Sequence, residues 1–311
     1  MASLIIRESD IESQMGKTAI ITGGASGLGL ATAKILAGKG AQVHVLDVAA
    51  PKEDGLGPLI KFHRCDVTSW EDLRSNFESV GNDVDYVFAN AGIMGQSDYI
   101  SDRLDSEGRL LEPDYSVVDI NLRGAFNTVK LAWSSMRRRN EVKGRKPGSI
   151  VITASAAAYA PEMTLPIYSA TKAASSNQLV GLIRALRPVI IRDNITINGV
   201  APGATNTNMV PAETAETFGL RGIPLSDPEH VGLALVYSAV AKQDRRVETY
   251  GIDGREELWG TEHWNGRVIL TLGDTYTELE EPTADLRPFW FGRENDRSTR
   301  LQQSSLDTRS G

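Results

Sequence analysis

The sequence predicts a doubly wound α/β fold built on a parallel sheet. Three observations carry this. Short β-branched apolar runs alternate with longer Ala- and Leu-rich stretches along most of the 311 residues. The runs are apolar throughout rather than at every second position, as in strands buried on both faces. A glycine-rich turn follows the first long run. Apolar residues make up 41% and charged residues 23%, which suits a globular chain with a sizeable core. The 33 Lys+Arg against 40 Asp+Glu leave a formal charge of −7, which argues against general nucleic-acid binding. No apolar run approaches the roughly 20 residues of a membrane span, and Leu4-Ile5-Ile6 is too short for a signal peptide. Cys65 is the one cysteine, so no internal disulfide framework exists and a reducing, cytoplasmic setting is expected. The four histidines (His44, His63, His230, His263) are far apart in sequence, and no cysteine pair accompanies them to make a structural zinc site.

The elements follow in order. Residues 1–16 are polar and mixed and are expected to form a loose arm. Thr18 to Thr22 reads as the first strand, and Leu28 to Gly38 as a helix stopped by Gly38 and Gly40. Gln42 to Leu46 is a second strand ending at Asp47, and Leu59 to His63 a weaker third. Thr68 or Ser69 caps a helix through Ser79. Val84 to Ala89 is a fourth strand, ending at Asn90-Ala91-Gly92. Residues 93–112 form a polar connection, and a long helix is expected over 113–139. The basic run Arg137-Arg138-Arg139 reads as its solvated C-terminus, where cations favour the macrodipole. Ser149 to Thr153, Asn194 to Val200 and Arg267 to Leu272 complete seven strands, with helices expected over 166–187 and 227–241. Residues 205–226 read as a loop with a short helix. The expected organisation is a single domain over 17–277, followed by a polar tail over 278–311 that carries Pro288-Phe289-Trp290-Phe291.

The segment Thr22-Gly23-Gly24-Ala25-Ser26-Gly27-Leu28-Gly29 sits where a buried strand meets a helix. Glycines at 23, 27 and 29 let backbone approach a ligand closely, and the helix start offers free N–H groups to a pyrophosphate. Asp47 ends the second strand, about 20 residues beyond the turn, where a carboxylate can accept from both ribose hydroxyls. The same charge would repel a 2′-phosphate, and no Lys or Arg occupies 46–51 to offset it. NAD rather than NADP is therefore expected. The alternative is that Asp47 only caps or solvates a loop.

Tyr168-Ser169-Ala170-Thr171-Lys172 places a phenol and an ammonium four residues apart, on one face of a helix. Ser155 lies at the end of the fifth strand, where open α/β sheets collect their ligand groups. Asn121 falls within the long helix after the fourth strand.

With these segments together, the sequence resembles the short-chain dehydrogenase/reductase family. The matching pieces are Thr22 to Gly29, Asp66-Val67, Asn90-Ala91-Gly92, Asn121, Ser155, Tyr168-x-x-x-Lys172 and Pro202-Gly203, with Gly266 to Gly273 fitting the last strand. The resemblance extends to fungal members similar to NAD-dependent 15-hydroxyprostaglandin dehydrogenase, many of them in specialised metabolism. It implies a Rossmann-type doubly wound parallel seven-stranded sheet flanked by helices. It further implies that Tyr168 exchanges a proton with the substrate oxygen, Ser155 holds that oxygen, and Asn121 holds a relay water. Lys172 would lower the Tyr168 pKa and bond the nicotinamide ribose. An ammonium about 4 Å from the phenol is worth up to about 4 kcal/mol at an effective dielectric of 20, or roughly three pKa units. That brings a phenol with an ordinary pKa of about 10 close to neutrality.

The resemblance also implies the cofactor contacts. The turn residues Gly23, Ser26, Gly27, Leu28 and Gly29, with Asp47 and Val48, would hold the adenosine end. Asp66 and Val67 would meet the adenine, Asn90, Ala91 and Gly92 the ribose and nearby backbone, and Pro202, Gly203, Thr205 and Thr207 the carboxamide. Thr205 departs from the Val or Ile usual there.

Ala156, Ala157 and Ala158 leave room for a bulky, mostly apolar alcohol or ketone substrate. Its pocket walls are expected from Ala156 to Met163, 93–98 and 205–225, the last as a lid. The leading expectation is an NAD-dependent alcohol dehydrogenase working as a homodimer or homotetramer, with no nucleic-acid or membrane partner and no metal. The alternatives are an NADPH-dependent ketoreductase acting on a polyketide or terpenoid, and a non-catalytic dinucleotide-binding regulator. Cys65 is expected to be a small buried residue, and His44 and His63 to be packed or hydrogen-bonded rather than catalytic.

Overall fold

The computed structural model describes residues 3–52, 56–81, 83–95, 99–141, 147–161, 166–210, 212–249, 256 and 258–305; the side chains of 172–178 and 212 lie outside the description. Among the described residues, eleven strands run in chain order: β1 (Ser3–Leu4), β2 (Thr18–Thr22), β3 (Gln42–Asp47), β4 (Ile60–Arg64), β5 (Tyr86–Ala89), β6 (Gly148–Thr153), β7 (Ile195–Pro202), β8 (Lys242–Arg245), β9 (Trp259–His263), β10 (Val268–Leu272) and β11 (Thr275–Glu278). Among the described residues, nine of them form one sheet in the order β1-β11-β10-β7-β6-β5-β2-β3-β4, and β8 pairs with β9 apart from it. Seven neighbours, from β10 to β4, are parallel, which is the expected seven-stranded sheet. The order reverses between β2 and β5, the switch point where such sheets bind ligands outside their strand C-termini.

The strands are buried on both faces because helices cover both. Ile20, Leu46, Val87, Ile150, Ile152 and Ile197 point to one side. They pack with Leu73 and Phe77 of α2 (Trp70–Val80), with Val129, Ala132 and Met136 on the helix after β5, and with Leu179, Val180 and Ile183 on the helix after β6. Ile21, Val43, Val45, Phe88, Val151 and Val200 point to the other side, against Ala33 and Leu36 of α1 (Gly27–Gly38) and Val231, Leu235 and Val236 of the helix after residue 227.

The long helix after β5 spans Ser116 to Asn140 in three parts: α3 (Ser116–Val118), a π-helical turn (Asp119–Gly124) and α4 (Ala125–Asn140). Widening to i→i+5 bonding is rare and marks sites where the helix must accommodate a neighbour. Here a Cβ on Gly124 would stand 2.7 Å from Val67 Cγ2, so the helix runs against the β4–α2 connection. Helix α5 (Pro166–Ile190) follows β6, α6 (Ala212–Leu220) lies in the stretch expected as a loop with a short helix, and α7 (Pro228–Val240) packs on α1.

Three sequence expectations are corrected. The arm is not loose: β1 pairs antiparallel with β11, and Ile6 and Ile11 are buried beside α1 and α7. The polar tail expected over 278–311 is folded as far as Ser305. β11 returns antiparallel to β10 across Gly273-Asp274, and three helices follow: α8 (Glu280–Asp285), α9 (Arg287–Trp290) and α10 (Arg293–Ser305). Its carboxylates are held by cations of the main body, Glu278 and Glu281 by Arg267 (3.3 and 2.6 Å) and Glu280 by Arg184 (2.7 Å). The Arg137-Arg138-Arg139 run is not wholly solvated, since Arg139 is buried, reaches Asp85 at 3.1 Å and donates to the Val84 carbonyl. The seven-stranded sheet therefore carries two added antiparallel strands at the β10 edge.

Candidate active site

The expected site residues gather at the C-terminal ends of β2, β3, β5, β6 and β7, which are adjacent and parallel. Thr22 ends β2 and ties three neighbours together. Its hydroxyl donates to the Phe88 carbonyl (3.3 Å) and accepts from the Asn90 and Ala91 N–H groups (3.1 and 3.2 Å). The Asn90 amide donates to the carbonyls of Thr22 (3.1 Å) and Gly23 (3.2 Å), while its oxygen accepts from the Thr153 hydroxyl at the end of β6 (2.9 Å). In the sequence Thr22 stands at a strand end and opens the glycine motif, and Thr153 stands at a strand end, with nothing to mark this network. Both were legible only as strand-end threonines.

The glycine turn is closed tightly around its own backbone. A Cβ on Gly29 would stand 2.3 Å from the Gly23 carbonyl oxygen, and one on Gly23 would stand 2.7 Å from Ala91 Cα. Gly23 (φ +65°) and Gly27 (φ +49°) hold left-handed conformations that a side chain disfavours. Ser26, in extended conformation, begins α1 without a side-chain acceptor over its first turn. A turn without side chains at 23, 27 and 29, leading into a helix start that Ser26 does not cap, fits a pyrophosphate. Thr207 lies over the turn, its Cγ2 3.3 Å from a Cβ on Gly27.

Asp47 is half-buried at the end of β3. One carboxylate oxygen accepts from the Ala25 N–H (3.1 Å) and the other from the Ala49 N–H (3.3 Å), so it joins the strand end to the glycine turn and keeps acceptor capacity for a ribose. Val48 is 60% exposed beside it. Asp66 accepts from the Thr68 N–H and hydroxyl, both at 2.8 Å, which turns the chain into α2, and Val67 is buried against Gly124. Cys65 is buried there too. Burial, with Asp72 and Asp66 nearby, pushes its thiol up to about 12, so it stays protonated and inert.

Ser155 follows β6 and is buried. Its Oγ accepts from the Ala157 N–H (3.2 Å) and lies 3.5 Å from the Pro202 carbonyl oxygen at the end of β7. Tyr168 and Thr171 lie in the first turns of α5, where the Thr171 hydroxyl donates to the Tyr168 carbonyl (2.9 Å). Lys172 follows on the same helix; its side chain lies outside the described residues. The Asn121 amide, buried in the π-helical turn, reaches 3.5 Å from Thr171 Oγ1 and pairs with both backbone groups of Ile93 just beyond Gly92. Pro202-Gly203 continues from β7, with the Gly203 N–H donating to Thr271 O (2.8 Å) and the Thr205 hydroxyl to Gly203 O (3.0 Å). Thr205 also pairs with Ser226, which fixes the start of the stretch leading to α6. Of the expected pocket walls, residues 96–98, 162–163 and 211 lie outside the described residues.

His44 and His63 share a hydrogen bond of 2.8 Å on β3 and β4, away from these groups. Burial, with the neighbouring His63 and Lys61, lowers the His44 pKa to about 4.

Comparison with known proteins agrees with this geometry. The family model described as short chain dehydrogenase matches residues 17–217. The chain is 50% identical to the short-chain dehydrogenase/reductase ATR7 of Stachybotrys chlorohalonatus, over 100% of this chain and 96% of that one. It is 47% identical to the short-chain dehydrogenase/reductase prx4 of Penicillium rubens, over 99% and 90%. Among solved structures, a 3-ketoacyl-(acyl-carrier-protein) reductase from Brucella melitensis complexed with NADH superposes with a TM-score of 0.63 at 23% identity. The match covers 83% of this chain and 98% of that one, and it shows the shared fold. The chain belongs to the short-chain dehydrogenase/reductase family of oxidoreductases.

Proposed function

We propose that this protein is an NAD-dependent dehydrogenase that interconverts a secondary alcohol and its ketone on a bulky, mostly apolar small molecule of specialised metabolism. The observation that carries the reading is the placing of Ser155 beside Pro202 at the ends of β6 and β7, with Asn121 reaching the Tyr168–Thr171 turn of α5 and a side-chain-free glycine turn at the end of β2. A nicotinamide dinucleotide, when bound, supplies the hydride acceptor for alcohol oxidation and the hydride donor for ketone reduction. Gly23, Ser26, Gly27, Leu28 and Gly29 would hold its pyrophosphate end, Asp47 its adenosine ribose, and Pro202 to Thr207 its carboxamide.

The rest of the chemistry belongs to the chain. Ser155 Oγ holds the substrate oxygen. Tyr168 takes the hydroxyl proton in oxidation and returns it in reduction, a role worth typically 10²- to 10⁴-fold. Lys172, one turn further along α5, stabilises the phenolate that this transfer needs. Asn121, whose side chain clamps the Ile93 backbone, would hold the relay water that links Lys172 to solvent. NAD is favoured over NADP because Asp47 ends β3 beside the glycine turn, where its charge would repel a 2′-phosphate. Assembly as a homodimer or homotetramer in the cytoplasm completes the reading. No helix among the described residues is long and apolar enough to cross a membrane.

The test is a spectrophotometric screen of secondary alcohols with NAD and with NADP. Turnover with NAD supports the reading. A strong NADP preference favours the ketoreductase alternative, and dinucleotide binding without any turnover favours the non-catalytic regulator.

A further inference from the structure

Tyr159 lies on the connection between Ser155 and Tyr168, just past the turn Ala156–Ala158 that Ser155 caps. Its ring is partly exposed, while its hydroxyl reaches inward and donates to Glu280 Oε1 at 3.0 Å. The Glu280 side chain is fully buried on α8. Arg184 of α5 grips it in a two-pronged pair, Nε to Oε2 at 2.7 Å and Nη2 to Oε1 at 2.8 Å. The Glu280 N–H is held in turn by Glu278 (2.9 Å). Burial, with Glu280 beside it, holds the phenol well above its ordinary pKa, so it remains a donor at any working pH.

A two-pronged guanidinium–carboxylate pair is rigid, and a third donor on the same carboxylate inherits that rigidity. Three parts of the chain meet at one buried carboxylate: Tyr159 just past the turn that Ser155 caps, helix α5 at Arg184, and the C-terminal segment. We infer that Glu280 is a positioning residue for the substrate side of the site, and that it acts by pinning Tyr159 so that residues 156–161 form a fixed wall for a bulky substrate. This inference rests on the alcohol–ketone reading above. The C-terminal segment thereby becomes part of the specificity apparatus, and large substrates depend on it more than small ones, because only a large substrate reaches beyond Ser155 to that wall.

The test compares wild type, Tyr159→Phe and Glu280→Gln with NAD and two probe alcohols, 2-propanol and 4-phenyl-2-butanol. The expected result for Tyr159→Phe is at least a threefold rise in the KM ratio of the phenyl alcohol to 2-propanol, with the KM for NAD unmoved. Glu280→Gln keeps an amide oxygen for the phenol, so its ratio should move less than that of Tyr159→Phe. An unchanged ratio in Tyr159→Phe overturns the inference, as does an equal loss on both alcohols, which a merely structural role would give. Hydrogen exchange of the amides of residues 156–161, measured without substrate, separates this failure from failure of the function reading. If wild type oxidises neither alcohol, faster exchange in Tyr159→Phe still supports the pinned wall, and unchanged exchange overturns it.

Discussion

The side-chain amide of Asn121 is hydrogen-bonded at both ends to the backbone of Ile93: its oxygen accepts from the Ile93 N–H at 2.8 Å, and its nitrogen donates to the Ile93 carbonyl at 2.9 Å. A single side chain thus stands in for a strand partner just after the Asn90-Ala91-Gly92 segment. The π-helical turn sets it at the required depth, close to Thr171 on α5. Asn121→Asp removes the donor and leaves two acceptors facing each other in a buried place. The expected cost is about 1–3 kcal/mol of stability, read from urea unfolding, with a parallel fall in turnover. A variant as stable as wild type would show that the Ile93 clamp carries no weight.

Asp47 joins β3 to the glycine turn and is the residue to which the proposed function assigns the cofactor preference. Removing its charge in Asp47→Ser lifts a repulsion of about 1–2 kcal/mol against a 2′-phosphate. The expected outcome is a shift of about tenfold toward NADP in the ratio of kcat/KM values for the two dinucleotides. An unmoved ratio would mean that Asp47 serves only the Ala25 and Ala49 N–H groups it already holds.

Gly29 has no room for a methyl group, since the nearest atom to its Cβ position is a backbone oxygen of the same turn, 2.3 Å away. Backbone cannot swing aside as a side chain can. Gly29→Ala should lower the melting temperature and abolish dinucleotide binding measured by calorimetry. Gly38→Ala in the same helix, where a Cβ meets nothing within 4 Å, should do neither.

The His44–His63 pair sets an acid limit on stability. In the folded state His44 stays neutral down to about pH 4, whereas an unfolded imidazole titrates near its ordinary 6.5. The unfolded state therefore binds the extra proton, and stability is lost as pH falls from about 6.5 toward 4. This amounts to about 2 kcal/mol between pH 7 and pH 5 for the group alone. Denaturant melts at pH 7 and pH 5 should show the loss in wild type and a smaller one in His44→Phe. Equal losses in both would remove the pair as the cause.

The parallel core of the fold was legible because its strands are short apolar runs closed by glycines and polar residues, whereas their registers were not, since a run apolar on both faces carries no alternation to set them. The site was legible because it lies where those strands end. The C-terminal segment was hidden by its charges. Glu278, Glu280 and Glu281 read as part of a polar tail until Arg184, Arg245 and Arg267 are seen around them, and those partners lie 11 or more residues away in the chain. One local signal did exist: Leu272-Gly273-Asp274-Thr275 is a two-residue hairpin turn with Gly273 at φ +60°, followed by the polar–aromatic alternation of β11. Arg139 was misread for the same reason. A basic run at a helix end gives no hint that one member turns inward to Asp85.

The most direct test is Tyr168→Phe, assayed with NAD and whichever secondary alcohol wild type oxidises, beside calorimetric binding of NAD. The account predicts a fall in kcat of at least a hundredfold with dinucleotide affinity retained. Turnover at the wild-type rate with the phenol hydroxyl gone would contradict it.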